Sequence, residues 1–310
     1  MGRGHRAADP RHDRLTRWLE RACLGFAVFG AALPLVMATP VFSPYRGALE
    51  RAVGDPSFVA GAGSATTQLV VGITGGSIAG KWLAHFAVAR FAIRAGRRWA
   101  LRATIAGLLA WFLIDSASSL VAGAWANVVM VNGMPLLVVL PLAWRLARSM
   151  DGDALPADDR SRAPAALAFS TSLVGIAAGL VIAFALDTPA FAPWWRGLGT
   201  AHFGGADAPR TAHTLVRFFA GPIGGSTVGQ FVLLAFVARY PMRAGERWAA
   251  RWALASILGW ALVDSAWSLA SGAAFNVLWI NLPFVALTTP PLVWALMRQR
   301  RSPRAGVERA

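Results

Sequence analysis

The chain is short of the residues on which soluble proteins and most enzymes depend. It holds one cysteine, Cys23, so no intramolecular disulfide can form and cysteine usage says nothing of the redox compartment. Its five histidines, His5, His12, His85, His202 and His213, show no metal-ligand spacing. No nucleotide-phosphate loop, no paired histidines for haem and no nucleophile–base pair is present, so no metal or cofactor is expected. Charged residues make up only 15% of the sequence against 56% hydrophobic, a balance that excludes an ordinary soluble domain. The ten-residue alternating segments of a membrane barrel are missing too.

What is there is a set of long apolar runs, each about the 20 residues that a spanning helix needs. Eight can be read: Ala22–Thr39, Leu69–Ile93, Trp99–Val121 and Asn127–Trp144, then Ala165–Leu186, Val216–Met242, Trp248–Ala270 and Asn276–Met297. The first resembles a signal peptide in its basic lead-in. It lacks a good small-x-small cleavage site, however, and has an internal counterpart in Ala165–Leu186, so it is read as a retained helix.

The second half repeats the first. Gly75-Gly76-Ser77 recurs as Gly224-Gly225-Ser226, an offset of 224 − 75 = 149, and the same offset relates Asp115-Ser116-Ala117 to Asp264-Ser265-Ala266. Between Gly72 and Asn132 roughly half of the positions equal their partners without a gap. The expected fold is therefore an all-α integral membrane protein of eight spans, built as two tandem four-helix repeats. Residues 1–148 form the first repeat with a basic tail, 149–163 a polar linker, and 164–310 the second repeat with another basic tail. Four spans per repeat is an even number, so the two repeats should lie parallel, related by an axis along the membrane normal.

A net charge of +15 would suit a nucleic-acid binder, but its placement argues otherwise. Arginines crowd the N-terminal lead-in, the turns at 90–102 and 239–251, the linker and the C-terminal tail. The loops of the opposite side hold only Arg46, Arg51, Arg196, Arg210 and Arg217. That asymmetry places both termini and the linker in the cytoplasm. The partners it implies are the lipid bilayer, with its anionic headgroups, and a second copy or another membrane protein, not nucleic acid. Scarce lysine and abundant alanine suit a bacterium with GC-rich DNA, hence its inner membrane.

Four motifs stand out. Gly72, Gly76 and Gly80, with their counterparts Gly221, Gly225 and Gly229, are spaced by four, which puts each triplet on one face for close helix packing. Asp115 and Ser119 lie on one face of the third run, and positions summing to about 247 lie at equal depth across the third-to-fourth turn. Asn132 (115 + 132 = 247) and Asn127 (119 + 127 = 246) are thus placed to hydrogen-bond them, as Asn281 and Asn276 are for Asp264 and Ser268. Lys81 sits deep in the second run, where a lysine should snorkel, meet a wet cavity or pair with Asp115 or Asp264. Prolines interrupt the fourth runs at Pro135 and Pro141, then at Pro283, Pro290 and Pro291. Outside, Pro40 to Tyr45 and Pro189 to Trp194 read as aromatic anchors at the headgroup level.

The turn Arg90-Phe91-Ala92-Ile93-Arg94-Ala95-Gly96-Arg97-Arg98 resembles the cytoplasmic loop between the second and third helices of major-facilitator transporters. The likeness covers about ten residues, lacks that family's acidic residue, and meets six helices per half with four, so the family is not carried over. The leading functional expectation is transport or permeation of a small solute or ion at the interface of the repeats. The alternatives are a non-catalytic scaffold or accessory subunit, and a membrane enzyme using Asp115 or Asp264.

Overall fold

The computed structural model describes residues 10–53, 64–150 and 158–300, with the side chain of Arg300 outside the description. Residues 151–157 of the linker expected at 149–163 and parts of both basic tails lie outside the described residues. Every regular element among them is helical, and no strand occurs.

The long helices are α1 (Pro10–Ala31), α4 (Ala65–Val88), α5 (Arg98–Val121), α6 (Gly133–Ala147), α7 (Asp159–Phe184), α9 (Arg210–Val237), α10 (Arg247–Ala270) and α11 (Leu282–Arg300). Shorter ones lie between them: α2 (Leu33–Met37), α3 (Ser43–Val53) and α8 (Ala192–His202). Starts and stops follow local chemistry. The Ser64 hydroxyl accepts from Thr67 N–H and so caps α4, and the Asp158 carboxylate accepts from Arg160 N–H at the start of α7. The turns after α4, α5, α9 and α10 need a left-handed residue, and each has glycine there, at Gly96, Gly123, Gly245 and Gly272 with φ between 71° and 78°. In the first apolar run the helix stops at Ala31 and resumes as α2, because Pro34 has no N–H to continue the ladder.

Six helical segments are long and apolar enough to cross a membrane: Arg98–Val121, Asn127–Ala147, Asp159–Phe184, Arg210–Met242, Arg247–Ala270 and Ala274–Gln299. The chain is a multi-pass membrane protein. The other two expected runs differ for separate reasons. Six charged residues crowd the first half of α1, from Arg11 to Arg21. In α4 the composition is diluted by glycines, threonines, Gln68, Lys81 and His85, yet almost the whole helix is buried against other helices. A helix sheathed by protein has no need of an apolar surface toward lipid.

Inside, the bundle joins two apolar clusters with glycines and a set of buried polar side chains, and its outside is apolar. Leu113, Leu137, Trp144, Phe184 and Leu262 are exposed by 62% to 78%, an outward apolar surface that suits a hydrocarbon solvent. At the centre lie α4 and α9, in mutual contact. Within its own half α4 packs on α1, where Gly75 meets Gly30, and α9 packs on α7, where Gly224 meets Gly179. Each also packs on a helix of the other half, α4 on α10 and α9 on α5. The halves therefore interlock rather than sit side by side. Stacked rings fasten the arginine-rich end in the same crossed sense: Phe91 on Trp248 and Trp99 on Tyr240, both with centroids 5.3 Å apart. There Asp13 and Glu20 of α1 hold Arg94 at 2.8 and 3.7 Å, and Glu20 also holds Arg90 at 3.2 Å.

Candidate functional site

The glycine ladders are what lets the halves interlock. A Cβ built on Gly76 would lie 2.9 Å from Asp264 Cβ, and one on Gly80 would lie 2.6 Å from Trp260 Cβ. Gly72 meets Trp267. On the other central helix, a Cβ on Gly225 would be 3.1 Å from Asp115 N and one on Gly229 would be 2.8 Å from Trp111 Cβ, while Gly221 meets Ser118. Each ladder thus abuts the helix face of the opposite half that carries its aspartate. Only a residue without a side chain allows backbones to come so near.

Both aspartates are buried, at 2% for Asp115 and 1% for Asp264, and each is ringed by donors. Asn127 Nδ2 donates to Asp115 Oδ1 at 2.9 Å and to Ser119 Oγ at 2.9 Å, and Ser119 Oγ donates to the same carboxylate oxygen at 3.1 Å. Around Asp264, Oδ1 accepts from Asn276 Nδ2 at 2.8 Å, Asn281 Nδ2 at 2.9 Å and Ser268 Oγ at 3.1 Å. One contact differs between the halves: Asn132 Nδ2 donates to Ser116 Oγ at 3.2 Å, whereas Asn281 Nδ2 reaches both Asp264 and Ser265 Oγ, the latter at 3.0 Å.

The equal-depth count explains part of this, and the backbone explains the rest. In an α-helix two residues five apart point about 140° away from each other, given 3.6 residues per turn. Asn127 and Asn132 are five apart, as are Asn276 and Asn281, and yet each pair turns toward one aspartate-bearing helix. Both pairs span π-helical turns, Asn127–Asn132 and Val277–Asn281, whose wider i→i+5 repeat brings residues five apart nearly into line. Instead of broken helices, the sequence prolines produce these turns just ahead of Pro135 and Pro283. Beyond them α6 runs on through Pro141 and α11 through Pro290 and Pro291.

The shells are completed by residues that sequence reading assigned elsewhere. Tyr45 Oη donates to Asn127 Oδ1 at 2.6 Å, and Trp194 Nε1 donates to Asn276 Oδ1 at 3.0 Å. Both come from α3 and α8, short helices in segments read only as interfacial anchors. Both are buried, which no anchor in the headgroup layer would be. The signal available was their shared offset, 194 − 45 = 149, equal to that of the asparagines they hold.

Lys81 is fully buried, and it is the only lysine of the chain. Its Nζ has no hydrogen-bond partner and no carboxylate at ion-pair distance, so the pairing expected with Asp115 or Asp264 is not formed. The ammonium lies instead 3.3 Å from the centroid of the Trp111 ring and 4.9 Å from that of Trp82. Trp111 stands one turn before Asp115 on α5, and the two meet Gly229 and Gly225 of α9 in the same order. His85 Nδ1 donates to the Lys81 carbonyl at 3.0 Å, and its Nε2 is buried without a partner. At the positions matched by the offset, the other half has neutral Gln230 and Leu234.

Two small cavities, of about 60 and about 40 Å³, lie between α4 and the second half and share Ile73, Ile182, Ile223 and Ile280 in their walls. The larger extends to Trp194 and Asn276, and the smaller reaches Ser77, Trp260 and Asp264. Neither is lined by Lys81 or Asp115. No group of three or more potential metal ligands occurs among the described residues. No protein family, no curated protein and no solved structure matches this chain.

Proposed function

We propose that this membrane protein moves a small solute or ion along the interface between its two halves. The observation that carries the reading is Lys81. An unpaired cation at the centre of a bundle is costly and has no packing role that an apolar side chain would not fill better. Its neighbours are the glycine-lined contacts between the halves, Gly229 among them, and a π-turn stands beside each aspartate, a feature common at functional positions. In this reading α1–α2 and α4 also cross the bilayer, giving eight spans in two parallel repeats. The arginine-rich end faces the cytoplasm of a bacterium, and the membrane is its inner one.

The test is flux into proteoliposomes. A panel of monovalent ions, amino acids and sugars is offered, and uptake above empty vesicles is compared between the native protein and Lys81→Met. A solute taken up by the native protein and not by the variant supports the reading, whereas no uptake of any solute, or equal uptake by both, refutes it. The second reading, a non-catalytic scaffold, draws on the dryness of the interior, whose cavities near Asp264 hold only a water or two.

A further inference from the structure

Asp115 and Asp264 are matched by the offset (115 + 149 = 264) and by two donors each, Asn127 and Ser119 against Asn276 and Ser268, with Asn281 a third on Asp264, but their surroundings have diverged in charge. Near Asp115 stands the Lys81 ammonium, held over Trp111 one turn away. Near Asp264 the equivalent position is Gln230, which donates from Nε2 to Ser256 Oγ at 3.4 Å. Among the described residues no other ionised group makes up the difference. On α4, Lys81 and His85 turn to α5, where they meet Trp111 and the backbone at Gly107. On α9, Arg217 is exposed and paired with Asp187 at 2.8 Å. On α8, His202 Nε2 donates to the Ser271 carbonyl at 2.9 Å, two turns beyond Asp264. The segment Asn276–Asn281 brings only amides, and the charged Arg298 of α11 lies at the far end over Trp294.

Access diverges in the same sense. The smaller cavity touches Asp264 together with the hydroxyl-bearing Ser77 and Thr227, whereas neither of the two cavities touches Asp115. The two central polar residues that could join it, Ser77 and Thr227, donate to the carbonyls of Ile73 and Ile223, at 3.1 and 2.9 Å, and leave the carboxylate without a cationic partner.

We infer that Asp264 is the reversible proton-binding carboxylate of this protein, and that Lys81 is a tethered counter-charge that keeps its twin Asp115 ionised. A buried carboxylate without a cation is neutralised most cheaply by a proton. Asn276, Asn281 and Ser268 all donate to Oδ1, so the proton binds at Oδ2, forming an O–H bond there, and is taken from and returned to a water molecule, for which the adjoining cavity of about 40 Å³ has room. The inference deepens the transport reading, for which it names the proton as coupling ion. It makes the duplicated carboxylates unequal: one cycles and one is fixed.

Infrared difference spectroscopy of the protein in lipid nanodiscs tests it, because a protonated carboxyl has its own carbonyl stretch. Spectra are taken over the pH range in which the protein stays folded, for the native chain, Asp264→Asn, Asp115→Asn and Lys81→Gln, the last copying the residue already tolerated at position 230. The expected result is one buried carboxyl band that titrates, is lost in Asp264→Asn and persists in Asp115→Asn. Lys81→Gln should add a second band, removed again by Asp115→Asn in the same chain. A band that vanishes only in Asp115→Asn, the absence of any titrating band, or no added band in Lys81→Gln overturns the inference. The readout is independent of solute movement: absent bands with persistent Lys81-dependent flux defeat the inference alone, and titrating bands without flux defeat the transport reading alone.

Discussion

The Lys81 ammonium rests 3.3 Å from the centre of the Trp111 ring, a cation held by an aromatic face where a carboxylate was to be expected. Desolvated contacts of this kind contribute about 2 kcal/mol or more. Trp111→Leu should therefore lower the thermal unfolding midpoint clearly, and Trp111→Leu combined with Lys81→Met should recover most of the loss. The chain carries its own reporter, because Cys23 is the single thiol and is buried until the bundle opens, so a thiol-reactive fluorophore reads unfolding directly. An unchanged midpoint in the single variant would show that the ring does not hold the charge.

The glycine contacts give a prediction with an internal control. Gly76→Leu and Gly225→Leu push side chains into Asp264 and Asp115 and the backbone beside them, and should cost on the order of 1–3 kcal/mol or more. A Cβ added to Gly25, in the interior of α1, would meet nothing within 4 Å. Gly25→Ala should therefore be neutral or slightly stabilising, by up to about 1 kcal/mol. Unfolding midpoints of the three variants decide the matter: equal effects would refute ladder packing.

Tyr45 and Trp194 are expected to be structural partners of the asparagines. Tyr45→Phe removes the donor to Asn127 Oδ1 and leaves a buried acceptor unsatisfied, a loss of about 1–3 kcal/mol. Asn127→Ala should cost more, because Asp115, Ser119 and Tyr45 all lose a partner at once. If Tyr45→Phe matches the native midpoint, the bond from α3 contributes nothing to stability.

His202 makes the fold sensitive to mild acid. Its Nε2–H donates to the Ser271 carbonyl, and in the neutral ring its Nδ1 accepts from the Thr66 hydroxyl at 2.9 Å. Partial burial lowers its pKa, and the bond to Ser271 works against that shift. A folded value below the unfolded one of about 6.5 means that this contribution is whole above that pH and is lost as the pH falls below it. The unfolding midpoint of the native protein should thus drop between neutral and mildly acidic pH by more than that of His202→Gln. Parallel curves would remove His202 as the cause.

Reporter fusions test the orientation. Fusions at Arg97, Asp158 and Arg300 should lie in the cytoplasm, and a fusion at Gly204 on the opposite side. A cytoplasmic reporter at Gly204 would break the arrangement of four spans per half.

Much of this molecule is written locally. Apolar runs of spanning length, glycine at every turn that needs a left-handed residue, and the arginine-rich segments are all legible because each depends on a few consecutive residues and the surrounding solvent. The asparagines near Asp115 and Asp264 could be placed by counting depth across a hairpin, since two antiparallel helices joined by a short turn have one register. Tertiary structure alone decided the rest. Periodicity marks a glycine face but not its partner, and the partner proved to be the aspartate helix of the other half. The π-turns arise where proline cannot donate, and only the packed hairpin shows that they bring residues five apart onto one side. Lys81 lies over Trp111 because three helices, α4, α5 and α9, meet around it, and no spacing along the sequence encodes a contact that needs all three in place.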